Sequence, residues 1–348
     1  MAKLILGLVL WAMTASLASA ACVGRDLFDD LSAAQRQAIA SAAARVPHAY
    51  GTTFVARRGQ ARLLLVGTFH FTDDRHHGMI DGLAPQMTGA DALLVEAGPE
   101  EEAQLQARLA RDPTLMADPT GPTLPERLDA DDWQAVAAAL AERGIPAVIA
   151  SRLRPWYVAT MLSVSPCVLA EIRAAEGPPS GLDHLMMDAA QDAGVPIRAL
   201  EPFDTVFTLF DGLTPDEEID MILAALPGAA QADDLTTTAA TAFFEGRVWE
   251  LWEFARLDAH RHPTMDPAKV DRQLALAKER LMDRRNRAWI GPLTRAAEDA
   301  AARGRHVVAA FGALHLPGET GVLRLLERDG WTVERMALER TTTEGTLP

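Results

Sequence analysis

Two Gly-x-x-His segments follow apolar runs that are typical of buried strands. The run "RLLLVGTFH" ends in His70, and the run "HVVAAFGALH" ends in His315. With 24 Gly and 9 His in 348 residues, chance gives fewer than one such spacing, yet three occur, the third being "GLDH" at 181–184. Glycine lets a chain turn sharply and lets a ligand approach closely, so the repeat predicts two imidazoles over one shared site. Histidines held there could transfer protons or bind a metal ion.

Two glutamates end further apolar runs. Glu96 directly follows "ALLV", where a charge is costly unless it is paired or bound to metal, and Glu201 follows "VPIRAL". Glu201 could equally form a salt bridge with an arginine of residues 284–287. Asp183 opens a helix and could be only its cap. His76 and His77, in "FTDDRHHG", are predicted to lie in a solvated loop.

The elements that must position these groups alternate between short apolar runs and helices. Several helices end in glycine before a strand, as in "AERGIP", "QDAGVP" and "LERDGW". This repeated order of helix, glycine and strand predicts an α/β fold with a largely parallel central sheet flanked by helices. The segment "GTTFVARRGQARLLLVG" predicts an N-terminal β-hairpin that turns at Arg58 and Gly59. The residues at about 205–295 predict a mostly helical insertion.

The carboxyl ends of parallel strands are where open α/β sheets bind ligands. Five runs would end at that edge, and four of them deliver His70, Glu96, Glu201 and His315. The fifth, "IPAVIAS", is predicted to be a strand that delivers Arg152 and Arg154.

The first twenty residues predict a cleaved signal peptide. One lysine precedes an apolar run, and small residues stand at Ala18 and Ala20, before a cut at Ala20–Ala21. A lipoprotein signal ending at Cys22 is less favoured, because Ser19 stands where such signals usually carry leucine. We therefore expect residues 21–348 to form a single periplasmic or secreted domain without a transmembrane segment.

Composition and cysteine content narrow the possibilities further. The 48 acidic residues outnumber the 33 basic ones, and no stretch is densely basic, which argues against nucleic acid as a partner. Cys22 and Cys167 are the only cysteines. Two cysteines in an exported chain usually pair, so a Cys22–Cys167 disulfide is expected.

Several segments together resemble the TraB/GumN family, of which the Tiki proteins are animal relatives. The segments "VGTFH" and "FGALHLPGETGVLRLLERDGW" resemble its two Gly-x-x-His blocks, and "LLVEAGPE" resembles its first glutamate block. The segment "GLDHLMMDAAQDAGVPIRALEPFDTVFTLFDG" resembles its central block, and "MDRRNRAWIGPL" resembles its Arg-Asn helix. The resemblance implies a fold related to erythromycin esterases and haem-binding ChaN lipoproteins. It also implies an exported metal-dependent hydrolase with peptidase-like activity.

The same resemblance assigns roles to individual residues. It implies metal-binding or catalytic roles for His70, Glu96, Glu201 and His315, and catalytic roles for Asp183 and Arg285. Mixed nitrogen and oxygen ligands suit a divalent Mn, Co, Zn or Fe ion, which would lower the pKa of a bound water. A glutamate not used as a ligand would be the general base, and Arg285 would stabilise the oxyanion. The substrate would be a peptide or a small molecule.

Three alternatives stay open from the residues alone, and one of them is a protein-interaction or signalling module in which the site is inert. A metal-free esterase-type mechanism would use the same histidines and glutamates as acid and base. A protein that binds haem or another ligand would use the histidines as axial groups and would need an apolar slot. Trp249, Trp252 and Phe254 could line such a slot, although their helical spacing is more typical of core residues.

Overall fold

The computed structural model describes Cys22 and residues 24–174, 181–261 and 264–337. The predicted signal peptide lies outside these residues. The described residues form six strands, which are β1 (Thr53–Arg58), β2 (Ala61–Thr68), β3 (Ala90–Val95), β4 (Ile197–Ala199), β5 (His306–Gly312) and β6 (Thr332–Arg335). The predicted hairpin is present, since β1 and β2 pair in antiparallel fashion around a turn in which Gly59 has a φ of 57°.

One six-stranded sheet contains these strands in the order β4-β3-β5-β2-β1-β6. The strands β4, β3, β5 and β2 run parallel to one another, and β1 is antiparallel to both of its neighbours. The predicted α/β class with a largely parallel sheet is therefore confirmed. The carboxyl ends of β2, β3, β4 and β5 meet at one edge of the sheet.

Helices cover the sheet and form a further layer. The described helices are α1 (Ala33–Ala43), α2 (His76–Leu83), α3 (Pro99–Arg111), α4 (Leu124–Arg127), α5 (Ala130–Glu142), α6 (Ala147–Ala150), α7 (Pro155–Ser163), α8 (Pro166–Ala174), α9 (Leu182–Asp192), α10 (Thr205–Thr208), α11 (Pro215–Ala229), α12 (Ala232–Phe244), α13 (Val248–Arg261), α14 (Pro267–Lys278), α15 (Arg284–Ala301) and α16 (Val322–Arg328). The predicted insertion corresponds to α10–α14 and most of α15.

The two faces of the sheet are both buried, which explains the continuous apolar runs of the parallel strands. Leu63 and Leu65 of β2 pack on one face with Trp289 of α15 and with α16. Leu64 and Val66 pack on the other face with α9 and Phe243. Alternate residues of one strand thus contribute to two separate cores.

The segment "IPAVIAS" is helical, and its prediction as a strand is wrong. Its residues Ala147–Ala150 form the short helix α6, in which Val148 and Ile149 are exposed to solvent. It belongs to a separate cluster that α4, α5, α7 and α11 build away from the sheet. Arg152 and Arg154 therefore do not reach the sheet edge and instead donate to the carbonyls of Gly121 and Thr114.

A π-helical turn at Glu279–Asp283 joins α14 to α15. Nζ of Lys278 contacts both carboxylate oxygens of Asp283 at 2.6 Å, across five positions of the chain. The hydroxyl of Thr320 also donates to Asp283, at 2.7 Å. These contacts fix the start of α15 against the loop that follows β5. Such turns are frequent at functional sites.

The expected disulfide between Cys22 and Cys167 is present, with Cα atoms 5.6 Å apart. It ties the first described residue to α8. Across the described ranges, no helix combines the length and the apolar character that crossing a membrane would require.

Candidate functional site

The four ionisable groups predicted at strand ends all lie at the same edge of the sheet. His70 stands two residues after β2, Glu96 follows β3, Glu201 stands two residues after β4, and His315 ends a short 3-10 turn after β5. They lie together because the four strands are parallel and adjacent. The structure thus brings these four side chains together at the carboxyl edge of the sheet.

The glycines of the two Gly-x-x-His segments are needed for close approach. A Cβ on Gly67 would lie 2.7 Å from Leu316 and 2.9 Å from the backbone of Ala313. A Cβ on Gly312 would lie 3.3 Å from Nε2 of His70, 3.3 Å from Oε1 of Glu96 and 3.6 Å from His315. Both histidines and Glu96 therefore surround the same point above Gly312.

Arg285, near the start of α15, connects the two glutamates. Its Nε donates to Glu201 at 2.7 Å, and its Nη2 donates to Glu201 at 2.9 Å and to Glu96 at 2.5 Å. The other oxygen of Glu96 accepts from the amide of Gly312 at 2.6 Å. Glu201 accepts a further bond from Trp289 at 2.9 Å, so both of its oxygens are engaged. A salt bridge of Glu201 with an arginine of residues 284–287 therefore does exist.

The electrostatics of the cluster keep Glu96 ionised. Burial alone would raise the pKa of Glu96, but the neighbouring imidazoles, the Arg285 guanidinium and the Gly312 amide lower it to about 2. Burial acts to lower the pKa of Arg285, and its bonds to Glu201 and Glu96 raise it by more. The carboxylates and the guanidinium thus stabilise one another in their charged forms.

His315 is buried, and its imidazole is fixed from both sides. Its Nδ1 donates to Oδ1 of Asn286 at 2.6 Å, so its Nε2 is an acceptor, 3.2 Å from Nη1 of Arg285. Its ring lies 4.5 Å from that of Trp289. Burial and the charge of Arg285 lower the pKa of His315 to about 4, although Glu96 acts in the opposite direction.

Asn286 is a site residue that the sequence reasoning did not identify. It is buried, and its amide donates to the carbonyl of Thr320 at 3.0 Å, which fixes the orientation that presents its oxygen to His315. The only available signal was its position beside Arg285 in "MDRRNRAWIGPL".

Asp183 contacts the second histidine. Its Oδ1 lies 3.4 Å from Nδ1 of His70, which leaves Nε2 of His70 directed at the site. The helix cap is Gly181 rather than Asp183, so the capping interpretation of Asp183 does not apply. Loss of hydration acts to lower the pKa of His70, and Asp183 raises it by more. The pKa of Asp183 is lowered: burial acts to raise it, but His184 and His70 outweigh burial.

His184, the histidine of the third Gly-x-x-His segment, contacts the carboxylate oxygen of Asp183 that does not face His70. Its Nδ1 lies 3.3 Å from Asp183, and its Nε2 lies 3.3 Å from Glu102 of α3. The two carboxylates raise the pKa of His184 to about 10. The glycine of this segment is also explained, since a side chain on Gly181 would collide with the carbonyl oxygen of His70.

The loop prediction for His76 is wrong, because this residue begins α2 and is fully buried. Its ring packs between Phe69, Phe243 and Phe244, with centroids 5.1–6.2 Å apart. His77 is exposed, as predicted, but it too lies in α2 and not in a loop. The surrounding aromatic residues come from distant parts of the chain, so the local sequence did not reveal this burial.

Two of the three aromatic residues considered for a haem slot belong to the core. Phe254 is buried against Phe28 at a centroid distance of 5.0 Å. Trp249 is buried and packs against Trp252 at 6.0 Å. Phe254 and Trp249 are therefore core residues, whereas Trp252 is only partly buried.

The donors around Gly312 are of the types that bind a divalent ion, and outer partners orient both imidazoles. Nδ1 of His70 faces Asp183 and Nδ1 of His315 faces Asn286, as in metal sites whose outer partners orient the ligating imidazoles. Among the described residues, only Cys22, Cys167 and Glu171 bring three ligand atoms within 4.8 Å of one another, and those two sulfurs form the disulfide. The imidazoles and Glu96 are therefore spaced more widely than in a closed metal site.

The fold and the site define an α/β protein with a histidine, glutamate and arginine cluster at the carboxyl edge of a parallel sheet. The model of the TraB/PrgY/gumN family matches residues 53–335, and the chain belongs to that family. No curated protein matches the chain.

Proposed function

We propose that this protein hydrolyses amide or ester bonds in peptides or small molecules. The observation that carries the proposal is the convergence on Gly312 of Nε2 of His70 and Oε1 of Glu96, beside the buried His315. Arg285 lies next to these groups and is held by two carboxylates. A base, a water-binding region and a cationic donor are the components that acyl-group hydrolysis requires.

The chain's own residues account for the main steps. Without a bound ion, His70, whose pKa Asp183 raises against the opposing effect of lost hydration, accepts the proton of the attacking water. Arg285 stabilises the negative charge that develops on the carbonyl oxygen. Glu96 and Glu201 hold the guanidinium in position, and Asn286 keeps His315 in a single tautomer.

A divalent Mn, Co, Zn or Fe ion is the cofactor that the donor set supports. His70 and His315 would hold it through Nε2 and Glu96 through Oε1. Glu201 is less suited as a ligand, because its two oxygens already accept three hydrogen bonds, whereas each oxygen of Glu96 accepts one. The bound ion would lower the pKa of a coordinated water and polarise the carbonyl.

A metal-free hydrolase is the second candidate, favoured by one observation. Arg285 already pairs with Glu96 and Glu201 and donates to Nε2 of His315. The two carboxylates are thus partly neutralised without an ion, and the same acid and base groups remain available.

The test combines metal analysis of the purified protein with hydrolysis assays. Peptide and ester substrates are assayed with each divalent ion and after chelation, alongside Glu96→Gln. We expect Glu96→Gln to abolish turnover, because it removes the charge that orders Arg285 and faces Gly312. Glu298→Gln is the matched control. Glu298 lies on the exposed surface of α15, the helix that carries Arg285, and this variant should keep full activity.

The outcomes separate the candidates. Stoichiometric metal together with loss of activity on chelation supports the metal-assisted form. Activity that persists without metal supports the second candidate. Failure to hydrolyse any substrate under any of these conditions contradicts both.

We also infer that the protein works outside the cytoplasm, in the periplasm or after secretion. The Cys22–Cys167 disulfide supports this inference, because such bonds persist in oxidising compartments.

A further inference from the structure

A cavity lies between α7 and the helices of the predicted insertion, outside the cluster around Gly312. It has a volume of about 560 Å³ and is formed by α7, α11, α13 and α14. Its walls include Trp156, Phe210, Leu213, Met221, Leu274 and Ala277. This volume is in the range of pockets that hold small organic ligands.

The polar groups on the walls of this cavity are largely engaged within the protein. The hydroxyls of Thr160, Ser163 and Thr264 donate to backbone carbonyls. Nη1 of Arg280 donates to the carbonyls of Leu209 and Asp211, and Asp258 accepts from Gln231. A peptide backbone in the cavity would find few partners for its amides, which makes its burial costly. A hydrocarbon chain has no such groups.

Two segments of the cavity wall belong to stretches of chain that also carry residues of the candidate active site. Leu281 lines the cavity and is partly exposed, and its carbonyl accepts a bond from Nη1 of Arg285 at 3.0 Å. The segment that follows Glu201 also reaches the cavity, at Phe210. One wall residue thus lies four positions before Arg285, and another lies nine positions after Glu201.

We propose that the cavity binds the hydrocarbon chain of an acylated substrate, whose amide or ester bond then lies at the Arg285 cluster. This inference rests on the proposed hydrolase function. In the reaction, water adds to the acyl carbon, the bond from that carbon to nitrogen or oxygen breaks, and the leaving amine or alcohol takes up a proton. The products are a fatty acid and the deacylated amine or alcohol.

Binding is tested separately from hydrolysis, with the fluorescent fatty acid 11-(dansylamino)undecanoic acid. Ala277→Trp fills the cavity, and Ala275→Trp, at an exposed position of the same helix, is the matched control. We expect Ala277→Trp to weaken binding by about tenfold or more, and Ala275→Trp and Glu96→Gln to bind like the wild type. Ala259→Leu, a smaller filling change on α13, serves if Ala277→Trp does not fold.

Hydrolysis of acyl esters of increasing chain length gives the second measurement. Ala277→Trp should lower kcat/KM for dodecanoyl esters by about tenfold while leaving acetyl ester hydrolysis unchanged. Probe binding without any hydrolysis would retain the cavity assignment and contradict the proposed function. The assignment would be overturned if the wild type does not bind the probe, or if the filling variants bind it normally. It would also be overturned if the wild type is a dimer in solution and Ala277→Trp makes it monomeric, because the cavity would then be part of a dimer interface.

Discussion

Asn286 accepts a hydrogen bond from Nδ1 of His315 at 2.6 Å, and this contact decides which nitrogen of the buried imidazole faces the site. The contact is local to α15 and the loop after β5, yet it orients the one fully enclosed histidine of the cluster. Asn286 can therefore be replaced without changing any residue that we expect to contact the substrate.

Replacing this amide with a carboxylate should change the protonation of His315. In metal-free protein, burial helps to hold the pKa of His315 near 4. Asn286→Asp places a negative charge at Nδ1, so we expect the pKa of His315 to rise by about one unit or more. An NMR titration of the histidine ring protons measures this shift. An unchanged titration would contradict the contact.

The close packing at Gly312 predicts a strong effect of a single methyl group. Gly312→Ala would place a carbon 3.3 Å from both His70 and Glu96, and these side chains would have to move. We expect kcat/KM to fall by about tenfold or more, because small misplacements of reacting groups are costly. Gly78→Ala, where a new methyl meets nothing within 4 Å, is the control and should keep full activity.

Glu96 should contribute to stability as well as to the site. Its bonds to Arg285 and to the Gly312 amide are lost or weakened in Glu96→Gln, while Arg285 retains Glu201. We expect the free energy of unfolding to decrease by about 1–3 kcal/mol. The exposed change Glu298→Gln should cost about 0.5 kcal/mol or less. Denaturant titration compares the two, and an equally stable Glu96→Gln would show that the pair is not net stabilising.

The ion pairs of His184 predict a loss of stability in alkaline solution. Its pKa is about 10 in the folded protein, against an ordinary value near 6.5. The charged imidazole therefore stabilises the fold fully below about pH 6.5, and this contribution is lost as the pH rises through about 10. The melting temperature of the wild type should fall across this window more steeply than that of His184→Gln. A change of the exposed His77 to Gln should leave the wild-type profile intact.

The disulfide should matter for stability and not for chemistry. The bond closes a loop of 145 residues between Cys22 and Cys167. We expect the double change of both cysteines to serine to lower the free energy of unfolding by about 2–4 kcal/mol. Activity per folded molecule should stay at the wild-type level, and a specific loss of activity would contradict this separation.

Sequence reasoning identified the parts of the fold that depend on short-range signals. The apolar runs and the glycines after helices indicated the sheet, and parallel strands then placed His70, Glu96, Glu201 and His315 at one edge. The run at 145–151 misled, because a few apolar residues do not distinguish a strand from an exposed helical turn.

The interior of the site depended on long-range packing that no local pattern records. Arg285 meets Glu96 and Glu201, which are 189 and 84 residues away. The burial of His76 likewise depends on Phe243 and Phe244, from another helix. Such contacts follow from how helices dock on the sheet, which composition and spacing do not determine.

The π-helical turn at Glu279–Asp283 has a consequence for the direction of side chains. It amounts to one residue inserted into an α-helix, which rotates everything beyond it by about 100° around the helix axis. Leu281, within the turn, lines the cavity, and Arg285, just beyond it, points into the cluster at the sheet. The turn therefore sets how far α15 is rotated relative to α14 about the helix axis. Deleting a single residue there would swing the guanidinium away from both glutamates without removing any functional group.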